Sequence, residues 1–187
     1  WSLGGMICQE FALKYPKKIN KLILINTLPQ WPARDEKGIQ MYVESKISSY
    51  NKRLDDPKEA FFSSAKMSFT RSFIKEMKSD PDKKFHGCFS ANELIEGSTI
   101  DPSTPQDIKN QAVALKNFNV LEKLNQIQVP TLILSASKDR QTPKIMNEKI
   151  HEKIPNSKFV IIEKSGHRSP MESAPRINKE IILFLKE

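Results

Sequence analysis

The sequence predicts an α/β fold: a parallel sheet with flanking helices and an all-helical segment inserted between its strands. Two observations carry that prediction. Short apolar runs rich in β-branched residues alternate with helical patterns towards both ends of the chain, and in the middle no strand-like run survives. With 187 residues, 38% apolar and 28% charged, the composition is that of an ordinary globular domain able to bury a core.

Taken in order, Gly4 to Tyr15 reads as a helix and Lys21 to Asn26 as a strand buried on both faces. From Thr27 to about Phe118 prolines and aspartates punctuate a helical periodicity. Ile39, Val43, Ile47, Tyr50 and Leu54 mark one amphipathic helix, Phe62, Ala65, Phe69, Phe73 and Met77 a second, and Ile108, Ala112, Leu115 and Phe118 a third. Asp56 before Pro57 and Thr104 before Pro105 are matching start signals. Two further strands are expected at Thr131 to Ser137 and Lys158 to Lys164. Between them Thr142 should cap a helix beginning at Pro143, with Met146, Ile150 and Ile154 on its inner face. A last helix from Pro175 to Lys186 should bury Ile177, Ile181, Phe184 and Leu185. The expected organisation is a core from 1–28 and 119–187, with a helical cap at 29–118.

The formal charge of +8 invites a nucleic-acid reading, but the lysines are dispersed and no basic cluster interleaved with aromatics occurs. Lys14, Lys17, Lys18 and Lys21 gather where a helix should end, and cations there complement its dipole. No apolar stretch approaches the roughly 18 to 20 residues of a membrane span. Cys8 reads as a small buried side chain, Cys88 is uninformative, and neither has partners at metal-ligand spacing. Cytoplasm is the default expectation, with a signal peptide left open.

Chemistry concentrates in three places. The chain opens Trp1-Ser2-Leu3-Gly4-Gly5 and runs directly into a helical pattern, which is the nucleophile elbow G-x-S-x-G without its first glycine. A serine on so sharp a turn needs small neighbours, supplied by Gly4 and Gly5. By itself the same run is also an ordinary helix cap or turn. The second place is Val129 to Pro143, a strand followed by a loop with Asp139, which alone would read as a turn aspartate bonding its own backbone. The third is the strand ending in Ser165-Gly166-His167, which brings an imidazole to the sheet edge where the elbow also lies. His86, in the cap, and His151, on the Pro143 helix, are poor rivals.

Together these segments resemble the α/β-hydrolase family from its nucleophile elbow onwards, in the chain order Ser, Asp, His. The resemblance implies Ser2 as nucleophile, Asp139 as acid and His167 as base, with the Leu3 backbone N–H donating to the oxyanion and Trp1 bordering the substrate pocket. Some members carry the acid after the preceding strand, at the position of Asn26 or Thr27; neither is acidic, which favours Asp139. No metal or organic cofactor is implied. The implied reaction is hydrolysis of a small-molecule ester or lactone through an acyl-enzyme. The elbow and acid loop resemble carboxylesterases, and Thr104 to Leu124 resembles enol-lactone hydrolases. Acyltransferases and perhydrolases share the triad, and a ligand receptor or inactive homologue on the same fold is the alternative of another class. The family's strands before the elbow and its second oxyanion donor have no counterpart here, so a partial chain, weak or inactive alone, is expected.

Overall fold

The computed structural model describes residues 1–33 and 35–187. Two compact units are present. The first comprises Trp1–Gln30, Met67–Thr70 and Asn119–Glu187, the second Trp31–Lys66 and Arg71–Phe118.

The first unit is built on a parallel sheet of β1 (Leu22–Ile25), β2 (Thr131–Ala136) and β3 (Ser157–Ile162), in that order. Leu22 pairs with Thr131, and Thr131 in turn with Ser157, so the C-terminal ends of the strands lie at one edge. Only β2 is buried along its whole length; β1 and β3 flank it and are partly exposed. The expectation of three doubly buried strands therefore holds for the central one, because an outer strand lacks one neighbour. Leu132, Leu134 and Ile162 form a core with Ile177 and Phe184 of the last helix.

Helix α1 (Leu3–Lys14) enters from the Ser2 turn and buries Gly5, Met6, Gln9 and Ala12. Its other face carries Ile7, Phe11 and Tyr15, all exposed, and Cys8 is exposed with them rather than buried as its type suggested. Cys8 sits one position before the buried Gln9, on the wrong side of the stripe.

In the second unit α2 (Glu36–Asp55) packs along α6 (Pro105–Lys116), with Tyr42 Oη donating to Gln111 Oε1 at 2.9 Å. Leu54, expected on the inner stripe of α2, is exposed. The single helix expected from Phe62 to Met77 is two helices, α3 (Pro57–Ser68) and α4 (Arg71–Ser79). The break at Phe69-Thr70 falls in the four residues that belong to the first unit. Short α5 (Ala91–Gly97) and α6 each begin with a capping box, Ser90 with Glu93 and Thr104 with Asp107.

Returning to the first unit, α7 (Lys144–Lys153) buries Asn147 and Ile150. Thr142 does not cap it: the N-cap is Pro143, and the threonine hydroxyl is used elsewhere. After β3 come the one-turn α8 (Ser169–Glu172) and α9 (Ala174–Lys186). Helix α9 buries Ile177, Glu180 and Phe184; Leu185, expected in the stripe, is exposed, while Glu180 is shielded by its ion pair with Arg176 at 2.8 Å.

Candidate active site

Ser2 lies between the end of β1 and α1 with φ 52° and ψ −126°, a conformation that costs a non-glycine residue energy and must be held from outside. The holding contacts are specific. Its N–H donates to the carbonyls of Ile25 (3.0 Å) and Asn26 (3.1 Å), and its carbonyl accepts from Gly5 N–H (2.9 Å) and Thr27 Oγ1 (2.7 Å). A Cβ at Gly5 would come within 2.5 Å of Thr27 Oγ1, so glycine is required there for α1 to approach β1. At Gly4 the space is open, and its predicted role in making room is not needed. The Leu3 N–H, the first of α1, has no hydrogen-bond partner among the described residues and is one of the free donors of a helix N-terminus.

Ser2, His167 and Asp139, distant in sequence, are joined. His167 Nε2 is 2.9 Å from Ser2 Oγ, and Nδ1 is 2.8 Å from Asp139 Oδ2. The imidazole and the carboxylate are both almost completely buried. An ionised carboxylate only accepts, so Nδ1–H donates to Oδ2 and leaves Nε2 as acceptor for the serine hydroxyl. Asp139 Oδ2 also accepts from Thr142 Oγ1 at 2.6 Å, while Oδ1 accepts from the N–H groups of Gln141 (2.7 Å) and Thr142 (2.9 Å). Four donors thus fix both oxygens. An imidazole so oriented can withdraw the serine proton.

Several further residues hold this arrangement. Fully buried Asn147 accepts from Thr27 N–H at 3.1 Å and donates to the Thr142 carbonyl at 3.2 Å, linking the elbow to the acid loop. The Glu172 carboxylate accepts from Gly166 N–H at 2.8 Å and from the N–H and hydroxyl of Thr70. The Ser68 carbonyl accepts from Arg168 N–H at 2.8 Å, and a Cβ on Gly166 would meet that carbonyl at 2.7 Å. The histidine loop is therefore clamped from both sides of its imidazole.

Trp1 donates through Nε1 to the His167 carbonyl at 2.9 Å, and its ring centroid stands 5.2 Å from the imidazole, so the indole braces the same loop. The Arg168 guanidinium lies 5.9 Å from the ring centroids of both Trp1 and Phe69, and burial pushes its pKa down from the ordinary arginine value. His151 instead stacks on Phe159 and bonds Ser157. Among the described residues no cluster of His, Cys, Asp and Glu is arranged to hold a metal ion, and no helix is long and apolar enough to cross a membrane.

Ser2, strained at the turn into α1, is thus joined to a histidine and an aspartate from the loops that follow β3 and β2 of a parallel sheet. The model of the alpha/beta hydrolase fold matches residues 1–174, and the chain belongs to that family. Among curated proteins it is similar to a pimeloyl-[acyl-carrier protein] methyl ester esterase of Nitrosomonas europaea, 21% identical over 94% of this chain and 65% of that protein. Lipase 3 of a Moraxella species is 28% identical over 92% of this chain and 50% of the lipase. Of solved structures, the enol-lactonase of Burkholderia xenovorans superposes with TM-score 0.74 at 16% identity, covering 100% of this chain and 64% of the lactonase. A thermophilic esterase of Thermogutta terrifontis gives 0.73 at 22% identity, over 99% and 62%. The chain thus spans between half and two thirds of the length of these relatives.

Proposed function

We propose that the chain carries the catalytic relay of a serine esterase acting on carboxylic esters or lactones, with Ser2 as nucleophile, His167 as general base and Asp139 as the acid that orients it. The support is the unbroken hydrogen-bond path from Ser2 Oγ through the imidazole to Asp139 Oδ2. In this reading His167 Nε2 takes the Ser2 proton as Oγ attacks the substrate carbonyl carbon. The negative oxygen of the tetrahedral intermediate accepts a hydrogen bond from the Leu3 N–H, and the N-terminal dipole of α1 favours the charge. The imidazolium then protonates the departing alkoxide. Water, losing its proton to the same nitrogen, releases the acid and restores the serine.

The relatives, named as a methyl ester esterase, a lipase and an enol-lactonase, support that substrate class. Residues 29–118 are read as a helical cap, and Trp1, anchored by its N–H and partly exposed, as a residue bordering the substrate. The full-length protein is expected to turn over short p-nitrophenyl esters. Ser2→Ala and His167→Ala should each lower kcat by about a thousandfold or more. A Ser2→Ala or His167→Ala protein that keeps the parental kcat contradicts the assignment.

A further inference from the structure

Asn26 stands immediately after β1, fully buried, with φ 45°. Its polar groups are all committed within the protein. Oδ1 accepts from the Ala136 N–H at 2.8 Å, where β2 ends just ahead of Asp139. Nδ2 donates to the His167 carbonyl at 2.8 Å and to Ser169 Oγ at 2.9 Å, with the Gly166 carbonyl at 3.4 Å. The backbone carbonyl accepts from Ser2 N–H at 3.1 Å, and the backbone N–H donates to the Leu134 carbonyl at 2.9 Å. A single residue thus touches the serine itself, the strand end that leads to the acid and the loop that carries the histidine.

The amide cannot be reversed. The Ala136 N–H only donates and the His167 carbonyl only accepts, so one orientation satisfies both and the flipped one satisfies neither. Asparagine also tolerates the left-handed backbone better than most side chains. Aspartate shares that tolerance and the shape, but an ionised carboxylate at this point would set an acceptor against the carbonyls of His167 and Gly166.

We propose that Asn26 is a positioning residue of the reaction, whose side-chain amide and backbone carbonyl keep the Ser2 turn, the Asp139 strand end and the His167 loop in mutual register. The proposal rests on the serine-esterase reading above. Asn26 touches no reacting atom and acts through the geometry of the three that do. Proton transfer between Ser2 Oγ and His167 Nε2 is sensitive to small displacements, since a misplacement of about 1 Å can cost on the order of a hundredfold in rate.

The test compares Asn26→Gly, which keeps the left-handed backbone and removes the amide, with Asn26→Asp, which keeps the shape and reverses the donor. In the full-length protein Asn26→Gly is expected to lower kcat at least about tenfold with KM within about twofold, and Asn26→Asp to lower it further. Fluorophosphonate labelling should slow by the same factors. Ile177→Ala, on the buried face of α9 against the sheet, controls for stability: it should lower Tm without that loss of kcat. Without Ser2-dependent turnover in the parent, the esterase reading fails and this proposal with it. If the parent is active and Asn26→Gly keeps kcat within twofold, the positioning role alone is overturned. Should both Asn26 variants fail to fold, Ser169→Ala decides: loss of one amide acceptor should lower kcat a few-fold at constant KM, and an unchanged kcat overturns the proposal.

Discussion

Asp139 divides its work between its two oxygens. Oδ1 accepts from the backbone N–H groups of Gln141 and Thr142 and shapes the loop, while Oδ2 faces His167. The backbone contacts of a turn aspartate and the contact with His167 coexist, because a carboxylate has lone pairs for each. The histidine loop is as tightly specified. Gly166→Ala would drive a methyl group into the Ser68 carbonyl, a backbone atom with little freedom, so the loop must shift. A loss of about 1 to 3 kcal/mol of stability is expected, with kcat falling more than KM rises, measured by denaturant unfolding and steady-state kinetics. An alanine variant with parental stability and kcat would show that the loop has slack. Ser2, Asp139 and His167 were legible because each sits in a recognisable local pattern. Asn26 and Asn147 were not, since a buried amide has no periodicity and looks like any turn residue. One clue existed for Asn26: a polar side chain ending the run Leu22 to Ile25, at the edge where the other two strands also end.

At the level of elements, the strand positions followed from their apolar runs, with ends displaced by a residue or two. Periodicity alone misjudged Leu54, which is exposed, and two further features. A helical stripe continuing from Phe62 to Met77 concealed a break at Phe69-Thr70, because the interruption is stabilised by contacts of Ser68 and Thr70 with the distant Arg168 and Glu172. Leu185 fitted the apolar spacing of α9 yet lies at its outer edge, and Glu180 took a buried place through Arg176. Of the expected caps, Asp56 and Thr104 hold and Thr142 does not. Thr104 opens α6, its hydroxyl accepting from Asp107 N–H while the Asp107 carboxylate accepts from Thr104. Those bonds, the side-chain one first, hold the Asp107 carboxyl below its usual pKa. A carboxyl depressed in the folded state stabilises above its unfolded pKa, and the contribution is lost as pH falls through the folded value. Thr104→Ala should therefore lower Tm by a few degrees at neutral pH, and the difference from the parent should narrow in acid without vanishing, because the N-cap bond to Asp107 N–H does not titrate. A difference that widens in acid would refute this account of the cap.

For the whole molecule, alternation of strand and helix was enough to predict a parallel sheet, while convergence of Ser2, Asp139 and His167 at one edge of it was implied by the family resemblance of the three segments. Parallel strands in register bring their C-terminal ends together, so loops distant in sequence meet there. The proposed chemistry requires that this convergence make Ser2 a nucleophile. The most direct measurement is mass spectrometry of the full-length protein after treatment with a fluorophosphonate. A single adduct on the peptide containing Ser2, absent in His167→Ala and strongly reduced in Asp139→Asn, is the predicted result. An unmodified Ser2, or an adduct that forms equally well without His167, would contradict it.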